Sequence, residues 1–151
     1  MTEGTRGVGQ LLDLVGADLG SGEWQTVTQQ QVNQFADATH DHQWIHIDPE
    51  RARSGPFGQT IAHGFLTLAL LPDLLRSVLR VDGARMGVNY GLNRVRFPAP
   101  LAVGSRVRAR AELLEATSFG GGVQIVVRTT VEVEGQAKPA CVAETVSRYY
   151  V

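Results

Sequence analysis

The stretch "IAHGFLTLALLPDLLRSVLRV", residues 61–81, decides the fold. From about Ala62 to Leu79 its apolar side chains (Phe65, Leu66, Leu68, Ala69, Leu70, Leu71, Leu74, Leu75 and Val78) point in nearly every helical direction. A helix that is hydrophobic nearly all round has to be enclosed by other parts of the chain. A membrane span is a poor reading, because His63, Pro72, Asp73, Arg76 and Arg80 interrupt the run, whereas a span wants about 20 predominantly apolar residues. The stretch therefore predicts one long buried helix. Pro72 should kink it, since its ring removes the hydrogen bond to the carbonyl of Leu68.

The rest of the chain supplies a wrapper. "YGLNRVRFPAP", "SRVRARAELLEA", "GVQIVVRTTVEVEG" and "PACVAETVSRYY" are rich in β-branched residues and alternate with period two, and glycines and prolines punctuate them. Such segments read as strands joined by short turns, hence an antiparallel sheet. Helices grouped before strands give an α+β layer fold, with the sheet wrapped around one long central helix. Upstream, "VGQLLDLVG" reads as a short helix and "EWQTVT" as a brief strand. Thr28 and Gln31 have the capping-box spacing, which starts a second helix running from about Gln29 to Ala38, with Val32, Phe35 and Ala36 on its apolar face.

At 151 residues the chain suits a single domain over residues 1–151. A formal net charge of −1 with scattered arginines makes nucleic acid a poor partner. One cysteine, Cys141, and no basic-then-apolar leader suggest a cytoplasmic protein without disulfides.

Between the second helix and the long apolar stretch lies "DHQWIHIDP", residues 41–49. All four histidines, His40, His42, His46 and His63, fall in a 24-residue window that ends where the long helix begins. The run "FADATHDHQWIHIDPERARSGPFGQTIAHGFLTLAL" resembles the hydratase signature of the MaoC-like, (R)-specific enoyl-CoA hydratase family, in which an aspartate stands five residues before a histidine. "NYGLNRVRFPAPLAVGSRVR" is similar to a further family block, so the resemblance extends from about residue 25 to the C-terminus. Gln43 and Trp44, where many members have Asn-Pro, resemble the nodulation-N-like subgroup.

The resemblance implies a hot-dog fold and a homodimer. It also implies Asp41 and His46 as the catalytic pair, and the Gly64 amide as donor to an oxyanion. Hydration of a 2-enoyl thioester needs a group to activate water, a proton for the α carbon, and stabilisation of charge on the thioester oxygen. An aspartate and a histidine sharing one water meet the first two needs. An amide in the first turn of a helix meets the third. His63 is expected to bond a loop carbonyl at the helix mouth, Gln43 to help orient the pair, and Trp44 and Phe57 to line an acyl channel or simply pack. Arginines 94 and 96 could meet phosphates but more often form a solvated strand face. A His-rich metal site lacks a cysteine and would compete for His46, so neither metal nor redox cofactor is expected, with the CoA thioester as substrate. The same-chemistry alternative is a 3-hydroxyacyl carrier-protein dehydratase or a subunit of one. The rivals of another class are a thioesterase and a non-catalytic acyl-CoA-binding hot-dog protein.

Overall fold

The computed structural model describes residues 4–151, so the first three residues of the expected domain lie outside the described part. Five antiparallel strands, β2 (Asp18–Ser21), β6 (Arg106–Phe119), β7 (Gly122–Val133), β8 (Cys141–Tyr150) and β5 (Met86–Arg96), lie side by side in that order. The two-residue β3 (Gln25–Thr26) adds to β6 beyond β2, and β1 (Thr5–Gly7) pairs in parallel with β4 (Arg80–Asp82) in a small separate sheet.

Alternation fixes which face of the sheet turns inward. Val123, Ile125, Val127, Thr129, Val131 and Val133 of β7 are buried, opposite Cys141 and Ala143 of β8 and Val107, Ala109, Ala111 and Leu113 of β6. The small residues among them let the helices settle close to the sheet. The outward-facing arginines find acids on neighbouring strands: Arg128 lies between Glu112 and Glu144, Arg108 meets Glu132, and Arg106 meets Glu134. Pairs of this kind add small cross-strand stabilisation and keep the outer face polar. Register shifts in β6 between Leu113 and Glu115, and twice in β5, curl the sheet around the helical layer.

That layer corrects two expectations. The long helix over 62–79 is two short ones, α4 (Gly64–Ala69) and α5 (Leu71–Leu75). Pro72 has no N–H to continue the ladder, so α4 ends at Leu70 and α5 restarts with Pro72 in its first turn, where the missing donor costs nothing. Nor is the segment enclosed on every side. Leu66, Leu71, Leu74 and Val78 are buried, but Phe65, Ala69 and Pro72, spaced by four and three, form an open stripe with Phe65 71% exposed. The strand "GVQIVVRTTVEV", whose long apolar run reads from sequence as an exposed edge, is the central β7, and the long edge strand is β5. Hydropathy alternation reports which face of a strand is buried and carries no record of its neighbours.

The two helices before residue 40 agree with the sequence. The N-terminal one is a 3-10 helix (Val8–Leu14) that covers one end of the sheet with Val8 and Leu11. Helix α1 (Gln29–Thr39) starts in the expected capping box: the Thr28 hydroxyl accepts from the Gln31 amide at 3.2 Å, and the Gln31 side chain accepts from the Thr28 amide at 3.0 Å. No described helix is long and apolar enough to cross a membrane.

Candidate active site

Helix α1 ends at His40, the one described non-glycine residue with positive φ, at 62°. This left-handed turn reverses the chain and presents Asp41 at the surface. The loop then winds into two single-turn helices, α2 (Trp44–Ile47) and α3 (Pro49–Ala52). The Asp48 side chain caps α3 by accepting from the Arg51 amide at 3.0 Å. Four residues from Gln43 to His46 make less than one helical turn plus a cap, and they rotate the imidazole inward. His46 is consequently buried, 7% exposed, and does not face solvent as a loop position would suggest.

Two bonds hold His46 in place. Its Nδ1 lies 2.7 Å from the carbonyl oxygen of Ile61, and its own carbonyl accepts from the Gln29 side chain at 2.7 Å. The Ile61 carbonyl is itself fixed: the Ile61 amide bonds the Ile45 carbonyl at 3.0 Å, and the next amide, of Ala62, bonds the Leu101 carbonyl at 2.8 Å. A carbonyl can only accept, so Nδ1 carries the proton and Nε2 keeps a lone pair. Burial lowers the His46 pKa below its ordinary value, with the neighbouring His63 ring also lowering it; the bond to Ile61 and the Asp41 charge oppose this.

His63, just before α4, stacks on His46 with ring centres 3.9 Å apart and planes 25° apart. Its Nε2 donates to the main-chain oxygen of Asp41 at 3.0 Å, the loop-carbonyl bond expected from sequence. Side-chain atoms of Asp41, His46 and His63 thus lie within 4.8 Å of one another. A single water bonded at about 2.8 Å to each of two groups spans such a gap. Gly64 occupies the first position of α4, where an amide has no intrahelical acceptor. A side chain there would press into the Phe97 ring at 3.2 Å, so the glycine also allows that ring to pack against the helix start.

The other expected site residues lie nearby without joining this cluster. Gln43 is exposed, and its main-chain N–H, not its side chain, points toward the Asp41 carboxylate at 3.4 Å. Trp44 packs inside its own loop, under the Arg51 guanidinium at 4.3 Å and so close to Gly55 that a side chain there would meet its ring at 2.9 Å. Phe57 is 43% exposed. Neither aromatic lines a cavity of about 540 Å³ that lies between α4–α5 and the β5–β8 end of the sheet. Leu68, Ala69, Pro72, Leu92 and Tyr149 are among its walls, so it begins about one helical turn beyond Gly64. His40 and His42 point elsewhere: His40 turns the chain, and His42 bonds Asp37 at 2.8 Å on the surface. Arginines 94 and 96 are exposed. Gln29 was not anticipated. Its side chain donates to the His46 carbonyl and accepts from the Thr60 hydroxyl at 2.7 Å, and only its place in the first turn of a capped helix hinted at a special position.

Comparison with known proteins places these features among relatives. The model of the MaoC like domain matches residues 12–137. The chain is 60% identical over 143 residues to 3-hydroxyacyl-thioester dehydratase Z of Mycobacterium tuberculosis, covering 94% of this chain and 95% of that protein. It is 48% identical over 136 residues to nodulation protein N of Rhizobium leguminosarum bv. viciae, covering 88% and 84%. Among solved structures, the (R)-hydratase from A. caviae involved in PHA biosynthesis superposes with a TM-score of 0.71 at 25% identity, covering 88% of this chain and 94% of that one.

Proposed function

The chain belongs to the MaoC-like dehydratase family and is a hydro-lyase, and from that premise we propose that it adds water reversibly to trans-2-enoyl-CoA, giving (R)-3-hydroxyacyl-CoA. The observation that carries this reading is the cluster in which a His46 ring nitrogen and an Asp41 carboxylate oxygen lie within 4.8 Å, one water's width, while the Nδ1 bond to Ile61 leaves Nε2 with a free lone pair. The (R) sense is supported by the likeness to the (R)-hydratase.

In this reading Asp41 and His46 Nε2 hold the attacking water. Its oxygen bonds C3 of the enoyl thioester while the C2–C3 π pair moves toward the thioester carbonyl. The proton lost from the water passes to His46 Nε2, and the pair returns a proton to C2, so the site ends as it began. Charge that gathers on the thioester oxygen is met by the Gly64 amide at the positive end of α4. The reverse direction uses the same groups, and dehydration of a 3-hydroxyacyl thioester, on CoA or on a carrier protein, is favoured as the alternative by the name of the 60%-identical relative.

This route calls for neither metal nor redox cofactor. The stacked rings of His46 and His63 suit it better than they suit an ion: an imidazole lone pair lies in its ring plane, so near-parallel rings aim theirs side by side. Each ring has also committed one nitrogen to a carbonyl.

The working unit is a homodimer joined through β5. That edge strand exposes Met86, Val88, Tyr90 and Leu92, an arrangement that pairing with a second copy would cover.

The test is spectrophotometric. With crotonyl-CoA the absorbance of the conjugated thioester should fall with no thiol released, and chiral analysis should give the (R)-3-hydroxy product. Release of thiol from saturated acyl-CoA, with crotonyl-CoA untouched, would replace the reading with a thioesterase.

A further inference from the structure

We propose that His63 is a positioning residue that holds both members of the catalytic pair at once, through two independent links made by one ring; this rests on the hydration reading above. The first link is its Nε2–H donated to the Asp41 carbonyl at 3.0 Å. The second is the stack on His46 at 3.9 Å, with the Phe35 ring 4.9 Å away.

The ring is placed by the core. His63 is 3% exposed, and its carbonyl accepts the Leu66 and Thr67 amides at 3.1 and 3.2 Å, so its backbone belongs to the start of α4. Asp41, in contrast, is exposed and follows a left-handed residue. Its other bonds within the loop are long: 3.5 Å from its amide to the Thr39 hydroxyl, and 3.4 Å from the Gln43 amide to its carboxylate. The bond to His63 is therefore what ties the Asp41 main chain to the packed part of the molecule. A phenylalanine would fill the same space and stack as well, but it could not donate to Asp41.

The two stacked rings divide the work by opposite tautomers. Each gives its N–H to a carbonyl, His46 through Nδ1 and His63 through Nε2. What remains differs: His46 keeps the Nε2 lone pair in a ring that clusters with the Asp41 carboxylate, whereas His63 Nδ1 is buried and has no partner among the described residues. An unpaired buried acceptor is costly. Its retention here is explained by the bond that the opposite nitrogen makes.

Two variants separate the links. His63→Phe keeps the stack and removes the bond to Asp41; kcat/KM should fall roughly tenfold to a hundredfold, as small displacements of reacting groups do, with the acidic limb of the pH profile moving up less than in His63→Gln, because the burial that chiefly lowers the His46 pKa is kept and only the His63 charge is lost. His63→Gln keeps a donor at the Nε2 position and removes the ring; with both the covering ring and the His63 charge lost and the Asp41 charge kept, the acidic limb should move up toward the ordinary histidine value of 6.5. A purely structural role predicts lower Tm with unchanged kcat/KM per folded site and an unmoved limb in both variants, and that outcome would overturn the proposal. A variant that does not fold leaves the wild-type measurement decisive: nitrogen-detected NMR should find His46 protonated at Nδ1 and His63 at Nε2. His63 protonated at Nδ1 would also overturn it. Because these tautomers are read without substrate, they stand or fall separately from hydration of crotonyl-CoA.

Discussion

With its Nδ1 proton given to Ile61, His46 can take a proton only through Nε2, and burial makes that nitrogen harder to charge. Two consequences follow for pH. The acidic limb of kcat/KM should lie below 6.5, because the proposed mechanism needs the neutral ring. The folded pKa is the lower one, so the stability that His46 supports is present above 6.5, falls as pH drops, and is lost below the folded value; urea titrations at stepped pH check the direction. Asp41→Asn and His46→Gln should each lower kcat/KM by about a hundredfold or more, and the double variant should be little worse than either, as for residues acting as a unit. Retention of more than about a tenth of wild-type kcat/KM by either single variant would remove the pair from the mechanism, being a loss under about 1.4 kcal/mol. His40→Gly should keep full activity, since His40 supplies only a left-handed turn that glycine adopts freely. Lost activity together with stoichiometric metal in the wild type would revive an ion-binding reading.

Helix α1 acts on the site through its first turn. The capping box orders Gln29, and Gln29 then bridges the His46 carbonyl and the Thr60 hydroxyl, next to the carbonyl of Ile61. Thr28→Ala should cost about 1 kcal/mol of stability, as loss of an N-cap does, measurable by denaturant titration. Gln29→Leu, which preserves most of the volume, should leave the bridge open and lower kcat more than it raises KM, because in the proposed mechanism the clamp orients the base and touches no substrate. Equal kcat values for wild type and Gln29→Leu would reduce Gln29 to a surface contact. The α4–α5 break has a different consequence. Leu71 and Leu74, on either side of the proline, are almost fully buried, so Leu74→Ala should cost about 2–5 kcal/mol. Their burial shows that the proline redirects the segment without loosening it.

The whole molecule has an unbalanced surface. Its outer sheet face is crossed by ion pairs, while β5 and the stripe Phe65, Ala69 and Pro72 leave apolar side chains open. The proposed dimer through β5 would cover the strand, and light scattering at micromolar concentration should then give twice the chain mass of 16.3 kDa. Leu92→Lys, placing a charge on that edge, should shift the mass toward monomer and lower activity with it. A stable, fully active wild-type monomer would refute the arrangement. Cys141 lies at the opposite extreme: fully buried, with its thiol pKa pushed up to about 11 by desolvation, it should resist thiol reagents at pH 8 until the protein is unfolded.

Much of this was legible in the sequence because it depends on local order. Period-two runs marked β5 to β8, the Thr28–Gln31 spacing marked the start of α1, and the resemblance picked out Asp41, His46 and Gly64. The bond expected of His63 needed only a polar ring at a helix mouth. Tertiary structure decided the rest, for one physical reason: these features depend on partners distant in the chain. Strand order puts β5 beside β8 and β7 in the centre, which alternation within a strand cannot encode. The tautomer of His46 is set by a main-chain carbonyl fifteen residues away, and a carbonyl has no side chain to signal its role. The stacking of His46 on His63, and the clamp from Gln29, exist only once α1, the loop and α4 have packed together.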